Sequence, residues 1–240
     1  MKNYNSEFYE SMDVTSISSA KELVPLLIKK YSPNSIIDVG CGTGAFANEF
    51  KSSGIKNVTG YEGAWMRNEQ TILPKENYVF TDLSLFVKIE EQYDLCLCLE
   101  VAEHLNEKSA KNLISILTSS SSRIAFSAAI PFQGGNHHIN EQWPSYWSKL
   151  FGEFGFFLEW DPRLEIWDNS RIAPCYRQNL LIFSKMSNTD RISPPSIVHP
   201  DAWTAKIKYM RTPLWIKFFE LLPSRVRSCL IRFSKNFLRN

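Results

Sequence analysis

The chain has 240 residues, 44% hydrophobic and 13% aromatic, with 27 basic and 25 acidic side chains. This composition excludes a disordered chain and suits one α/β domain with decorations, large enough to bury a substantial core. Five scattered cysteines, no recognisable signal peptide and no run near the roughly twenty apolar residues of a membrane span predict a cytoplasmic protein without a disulfide framework.

Residues 1–33 read as a leader ending in a helix. Ser19-x-x-Glu22 has the form of a capping box, opening a helix that runs through Tyr31 and stops at Pro33-Asn34. Strands are predicted at Ser35–Val39, Asn57–Tyr61, Tyr78–Thr81 and Tyr93–Leu99, the last a continuous apolar run suited to burial on both faces. Helices are expected over about 45–53 and 108–119, with a strand at Arg123–Ala129 between the second of these and a polar loop, Pro131–Trp143. A further helix ends near Phe154-Gly155, and strands near Phe157–Trp160 and Asn179–Ser184 close the domain. Strands alternating with helices predict a mostly parallel sheet covered on both faces. Ser193-Pro194-Pro195 reads as a linker, which divides the chain into a domain of 1–190 and an extension of 191–240.

Between the first strand and its helix lies Asp38-Val39-Gly40-Cys41-Gly42-Thr43-Gly44. Glycines in such a turn permit positive φ and let a ligand lie against bare backbone. The helix beyond offers unpaired N–H groups to an anion, while Asp38 could hold a cation. A ligand with both an amino group and a carboxylate suits the turn, and S-adenosylmethionine is one. The spelling alone leaves a dinucleotide open, because Gly40, Gly42 and Ala45 with Glu62 also satisfy that pattern.

Three further segments decide between them. Glu62 ends the second strand, Thr81-Asp82-Leu83 the third and Leu99-Glu100 the fourth. With the glycine turn, in this order, they resemble the class I S-adenosylmethionine-dependent methyltransferases over roughly residues 20–185. The resemblance implies a Rossmann-like, doubly wound seven-stranded sheet, parallel except for an antiparallel last strand. It also implies cofactor contacts from Asp38, Gly40, Gly42 and Gly44, ribose hydroxyls on Glu62, adenine at Asp82 and Leu83, and the methyl donor beside Leu99.

Two more clusters fall at the same edge of the sheet. In Glu100-Val101-Ala102-Glu103-His104, a helical turn would put positions 100, 103 and 104 on one face. Two carboxylates and an imidazole there could hold a divalent cation or act as a general base. The loop Gln133-Gly134-Gly135-Asn136-His137-His138-Ile139-Asn140-Glu141-Gln142-Trp143 is dense in donors, acceptors and stacking surface, as a polyhydroxylated substrate requires. It resembles the corresponding loop of bacterial methyltransferases of sugar and surface-glycan biosynthesis. The Glu-x-x-Glu-His element also resembles ubiquinone-pathway and small-RNA O-methyltransferases, which implies Mg²⁺ or Mn²⁺ on Glu100, Glu103, His104 and His138. Glu103, His104, His137 and His138 are the candidate catalytic residues.

Charge is unevenly placed. Residues 201–240 carry nine Lys or Arg against two acids, a net +7, and leave −5 on the rest. Trp203, Trp215, Phe218 and Phe219 interleave with these charges, so the extension reads as partly helical, amphipathic and basic, suited to a membrane interface or to a protein partner. The expected function is O-methylation of a sugar or lipid-linked glycan hydroxyl, in the cytoplasm or at the inner face of the membrane. Three alternatives stand beside it: a quinone-like or phenolic acceptor, a nicotinamide-dependent oxidoreductase, and a cofactor-binding assembly subunit without turnover. Nucleic acid is a poor fit to a net-acidic body, and the sequence sets no oligomeric state.

Overall fold

The computed structural model describes residues 6–64, 66, 71–85, 88–185 and 193–211. Its first compact unit spans Met1–Ala202 and the second Trp203–Asn240. The first unit is built on seven strands: β1 (Ser35–Val39), β2 (Asn57–Glu62), β3 (Tyr78–Phe80), β4 (Leu95–Leu99), β5 (Arg123–Ser127), β6 (Phe156–Trp160) and β7 (Leu181–Lys185). They lie in the order β3-β2-β1-β4-β5-β7-β6. Only β7 runs antiparallel to its neighbours β5 and β6, as the resemblance implied.

Alternation along the central strands divides the core into two layers. Ile37, Cys96, Cys98, Ile124 and Phe126 face one cluster, covered by α3 (Glu107–Ser120) and α4 (Pro144–Gly152). Ile36, Leu95, Leu97 and Ala125 face the other, covered by α1 (Ser6–Tyr31), α2 (Ala45–Ser52) and α6 (Pro174–Asn179). A period of two with both faces apolar is what a buried parallel strand needs. Cys96 and Cys98 are wholly buried and fill the core.

Three expectations change. The first helix begins at Ser6, so Ser19 and Glu22 lie inside it. Ser19 Oγ donates to the Thr15 carbonyl at 2.7 Å and accepts from the Ala173 backbone at 2.9 Å. Glu22 accepts from Asn169 and Arg171, so the apparent capping box is a tertiary anchor. Asn179 ends α6 instead of starting β7, and a short helix α5 (Arg163–Ile166) precedes it. Finally, the segment after Ser193 does more than link. Pro194 and His199 are buried, and the His199 N–H donates to Gln178 at 2.8 Å.

Helix α7 (Pro200–Arg211) confirms helical structure at the start of the basic extension. The amphipathic pieces read over 212–240 lie outside the described residues, as does the very start of the leader. No described helix is long and apolar enough to cross a membrane.

Candidate active site

In strand order, β1 is flanked by β2 and β4, so the chain direction of winding reverses between β1 and β4. Ligands of open α/β sheets bind in the crevice beyond the carboxyl ends of strands at such a point. The glycine turn leaves β1 there, and Glu100 leaves β4.

Gly40, Gly42 and Gly44 all adopt left-handed backbone, with φ of 80°, 56° and 86°. Two are also packed tight. A Cβ on Gly40 would lie 2.4 Å from Val101 Cγ2, and one on Gly44 would lie 2.6 Å from Tyr78 Oη. Gly42 differs, since nothing lies within 4 Å of its missing side chain. Its bare face is open. Gly44 caps α2 without a side-chain hydrogen bond, which leaves orphan N–H groups at that helix start.

Asp38 and Glu62 are both buried beside this turn. Burial, reinforced by the charge of Glu62, lifts Asp38 to about 7 despite a hydrogen bond from the Ala47 backbone. Burial also raises Glu62, against the donors Gly42 N and Gly63 N, each 2.7 Å away. Glu62 therefore staples the glycine turn to β2, and each oxygen keeps a second lone pair for a ligand. Asp82 caps its own turn through Ser84 N and Oγ. Leu83 is buried in the core, and Leu99 is half-buried at the end of β4.

The second cluster departs from the helical face read from sequence. Glu100 has φ +56°, so the backbone swings away from β4 before the single 3-10 turn Ala102–His104 begins. Glu100 consequently turns toward other partners. Its oxygens accept from Asn179 Nδ2 at 3.1 Å and Gln133 Nε2 at 3.2 Å. Those amides are ordered in turn. Asn179 Nδ2 also reaches Gln133 Oε1, and Gln178 Nε2 donates to Gln133 Oε1 and Asn179 Oδ1. Because Gln178 must present its oxygen to the His199 N–H, the direction of every amide back to Glu100 follows.

Glu103, His104 and His138 do come together, with one ligand atom from each within 4.8 Å of the others. The His104 and His138 rings meet edge to face, centroids 4.8 Å apart. The loop is hung on Glu103 itself, whose carbonyl accepts from Ile139 N and Asn140 N. Glu103 is fully buried, and neither of its oxygens nor His104 Nδ1 has a hydrogen-bond partner of good geometry among the described residues. Burial and the nearby Glu100 charge push Glu103 well above the usual carboxylate range. Burial, then the neighbouring His138, lowers His104 to about 4, so its ring is neutral at neutral pH. His137 is exposed, with φ +61°, and is not one of the three ligand residues, although its backbone hydrogen-bonds His104.

Asp38, Glu62 and Glu103 are thus three buried acids at one crevice, and no Lys or Arg among the described residues pairs with any of them. Such groups are stabilised by a cationic ligand. Sequence reading missed Gln178 and Asn179 as parts of this region and included Glu141 in the loop without giving it a role.

Residues 16–156 match the family described as "Methyltransferase domain". Among solved structures, the chain is similar to the methyltransferase domain of bacterial CtHen1-C, with 18% identity, 71% of this chain and 98% of that one covered, and a TM-score of 0.51. It is also similar to magnesium protoporphyrin IX methyltransferase (ChlM) from Synechocystis PCC 6803 with bound S-adenosylmethionine, with 18% identity, 77% and 87% covered, and a TM-score of 0.52. At these identities the likeness is one of fold. No curated protein matches the chain.

Proposed function

The chain belongs to the methyltransferase-domain family, with S-adenosylmethionine as its methyl donor, and from that premise we propose that the acceptor is a hydroxyl of a sugar or lipid-linked glycan. The observation that carries this reading is the cluster of buried Glu103 with half-buried His104 and His138, in which neither Glu103 oxygen nor His104 Nδ1 has a hydrogen-bond partner of good geometry among the described residues. An aliphatic hydroxyl is a very weak acid, and its proton must be taken or its pKa lowered before it can attack. A phenol, with a pKa near that of tyrosine at about 10, needs less help. Phe132, Ile139 and Trp143 are exposed around the same loop and would suit a lipid portion of the acceptor.

The cofactor supplies an activated methyl group on a sulfonium. For this chain's own part, Asp38 would receive the ammonium group, the open face of Gly42 would admit the methionine backbone, and Glu62 would accept from ribose hydroxyls. Asp82 and Leu83 would flank the adenine and Leu99 the methyl donor. A divalent cation fits the second cluster on its chemistry: a buried carboxylate beside two half-buried imidazoles. When bound it would lower the pKa of a hydroxyl. Two imidazoles and one carboxylate suit Mn²⁺ better than Mg²⁺, which prefers oxygen ligands. Glu103, His104 and His138 would hold it, with Glu100 engaged by its amides. A ring lowered to about 4 is a weak base at neutral pH and a ready ligand, which favours this role for His104 over proton abstraction.

Methyl-labelled S-adenosylmethionine, incubated with the protein and fractionated lysate of a strain lacking the gene, tests the acceptor. Label is expected in the organic-extractable, lipid-linked fraction, and EDTA is expected to abolish it. Label in phenolic metabolites would overturn the glycan reading, and full transfer after chelation would overturn the cation.

The raised Asp38 makes a separate prediction for the cofactor. Its native-state value near 7 lies above the unfolded value, so its proton favours the empty fold at low pH. That contribution declines as pH rises from about 4 through 7. A bound ammonium group reverses the preference, since it pairs with the anion. Cofactor affinity should therefore rise with pH from 5.5 to 7, by at most about tenfold per unit. Calorimetry in two buffers should count the released proton, and Asp38→Asn should flatten the profile and weaken binding.

A further inference from the structure

The loop that carries His138 is organised by one side chain. Glu141 Oε2 accepts from Phe132 N at 2.8 Å, and Oε1 accepts from Gly134 N at 2.7 Å. Oε1 also lies 3.0 Å from His138 Nδ1. Both carboxylate oxygens already receive backbone protons, so the contact with His138 is made by an Nδ1–H donor. In the neutral ring the lone pair then belongs to Nε2.

The surroundings are shaped to keep the ring in this pose. A Cβ on Gly135 would fall 2.3 Å from His138 Nε2 and 2.4 Å from Cε1, so only glycine leaves room. Phe132 and His137, at φ +68° and +61°, take left-handed backbone that non-glycine residues rarely adopt. Glu141 ties the first of these turns directly, through Phe132 N. The side chains of His138 and Glu141 are only 12% and 19% exposed, which sets the pair apart from a solvated surface contact.

We propose that Glu141 is a positioning residue, which fixes the His138 tautomer so that Nε2 offers its lone pair to the cluster of Glu103 and His104. The significance of this role rests on reading that cluster as the place where the acceptor hydroxyl is activated. A carboxylate behind an imidazole is the usual way of fixing a ligating histidine, and its loss commonly costs about 10–100-fold in metal affinity.

The test uses the full chain, labelled with ¹⁵N, at a pH where His138 is neutral. Long-range ¹H–¹⁵N spectra of the wild type are expected to show His138 protonated at Nδ1, and Glu141→Gln should shift it toward Nε2–H. Mn²⁺ binding, followed by electron paramagnetic resonance, should weaken about 10–100-fold in Glu141→Gln and recover in part in Glu141→Asp. A wild-type His138 protonated at Nε2 would overturn the proposal, as would a Gln variant with unchanged tautomer and Mn²⁺ affinity. An Nδ1–H tautomer lost in the Gln variant, in a protein that never binds Mn²⁺, would uphold the positioning role while removing the cation. Should Glu141→Gln fail to fold, the wild-type spectrum and Glu141→Asp decide.

Discussion

Replacing His104 with alanine is expected to slow methyl transfer by about 10²–10⁴-fold, since losing a ligand of the cation that activates the hydroxyl forfeits activation of a size comparable to that of a general base. S-adenosylhomocysteine should still bind within about twofold, because His104 sits after β4 and the glycine turn after β1. Stability should change little. The imidazole Nδ1 has no partner of good geometry among the described residues, and relief of that unsatisfied group offsets the loss of the hydrogen bond with the His137 backbone and of the ring contact with His138. Melting temperature, S-adenosylhomocysteine affinity and single-turnover transfer separate these effects. Near-normal turnover in a folded variant would take His104 out of the chemistry.

The glycine turn offers an equally large effect on a different quantity. Gly40→Ala forces a Cβ against Val101 at a left-handed position. Overpacking and backbone strain together should cost about 2–5 kcal/mol. Gly42→Ala meets no atom within 4 Å, so only the left-handed penalty of about 1–2 kcal/mol applies. Cofactor affinity should nonetheless collapse in both: at Gly40 the turn must shift away from Val101, and at Gly42 the methyl group projects into the space where the ligand would lie. A folded Gly42→Ala protein that binds S-adenosylhomocysteine normally would place the cofactor elsewhere.

Most of the sheet was legible because its signals are local. Buried parallel strands are apolar runs, and the glycine turn needs φ values that few other residues tolerate. Both can be read within a dozen positions. The start of α1 was not, since Ser19 and Glu22 spell a helix cap and only their contacts with residues 169–173 show a mid-helix anchor. Glu100 was legible in part: it stays near enough to Glu103 to raise that carboxyl, while its hydrogen bonds to amides go elsewhere. Spacing put it on one face with Glu103 and His104, but the left-handed bend at Glu100 breaks the period that spacing assumes. Its partners Gln133 and Asn179 are 33 and 79 residues away, beyond any periodic pattern. The grouping of Glu103 with His104 needed only adjacency, and the arrival of His138 needed the loop's attachment to the Glu103 carbonyl.

The amide chain from His199 to Glu100 bears on where the working domain ends. The family match stops at residue 156, yet the amide chain beside Glu100 is held at both ends, by the Ile130 N–H and Glu100 at one and by a backbone proton at residue 199 at the other. An amide has nearly the same shape either way round, so packing alone cannot choose between its two settings. A shortened protein ending before His199 would keep all seven strands and the glycine turn, but Gln178 Oε1 would lose its backbone donor. It would also lose α7, and the buried Arg177 guanidinium would be left without the Asp201 carboxylate that pairs with it.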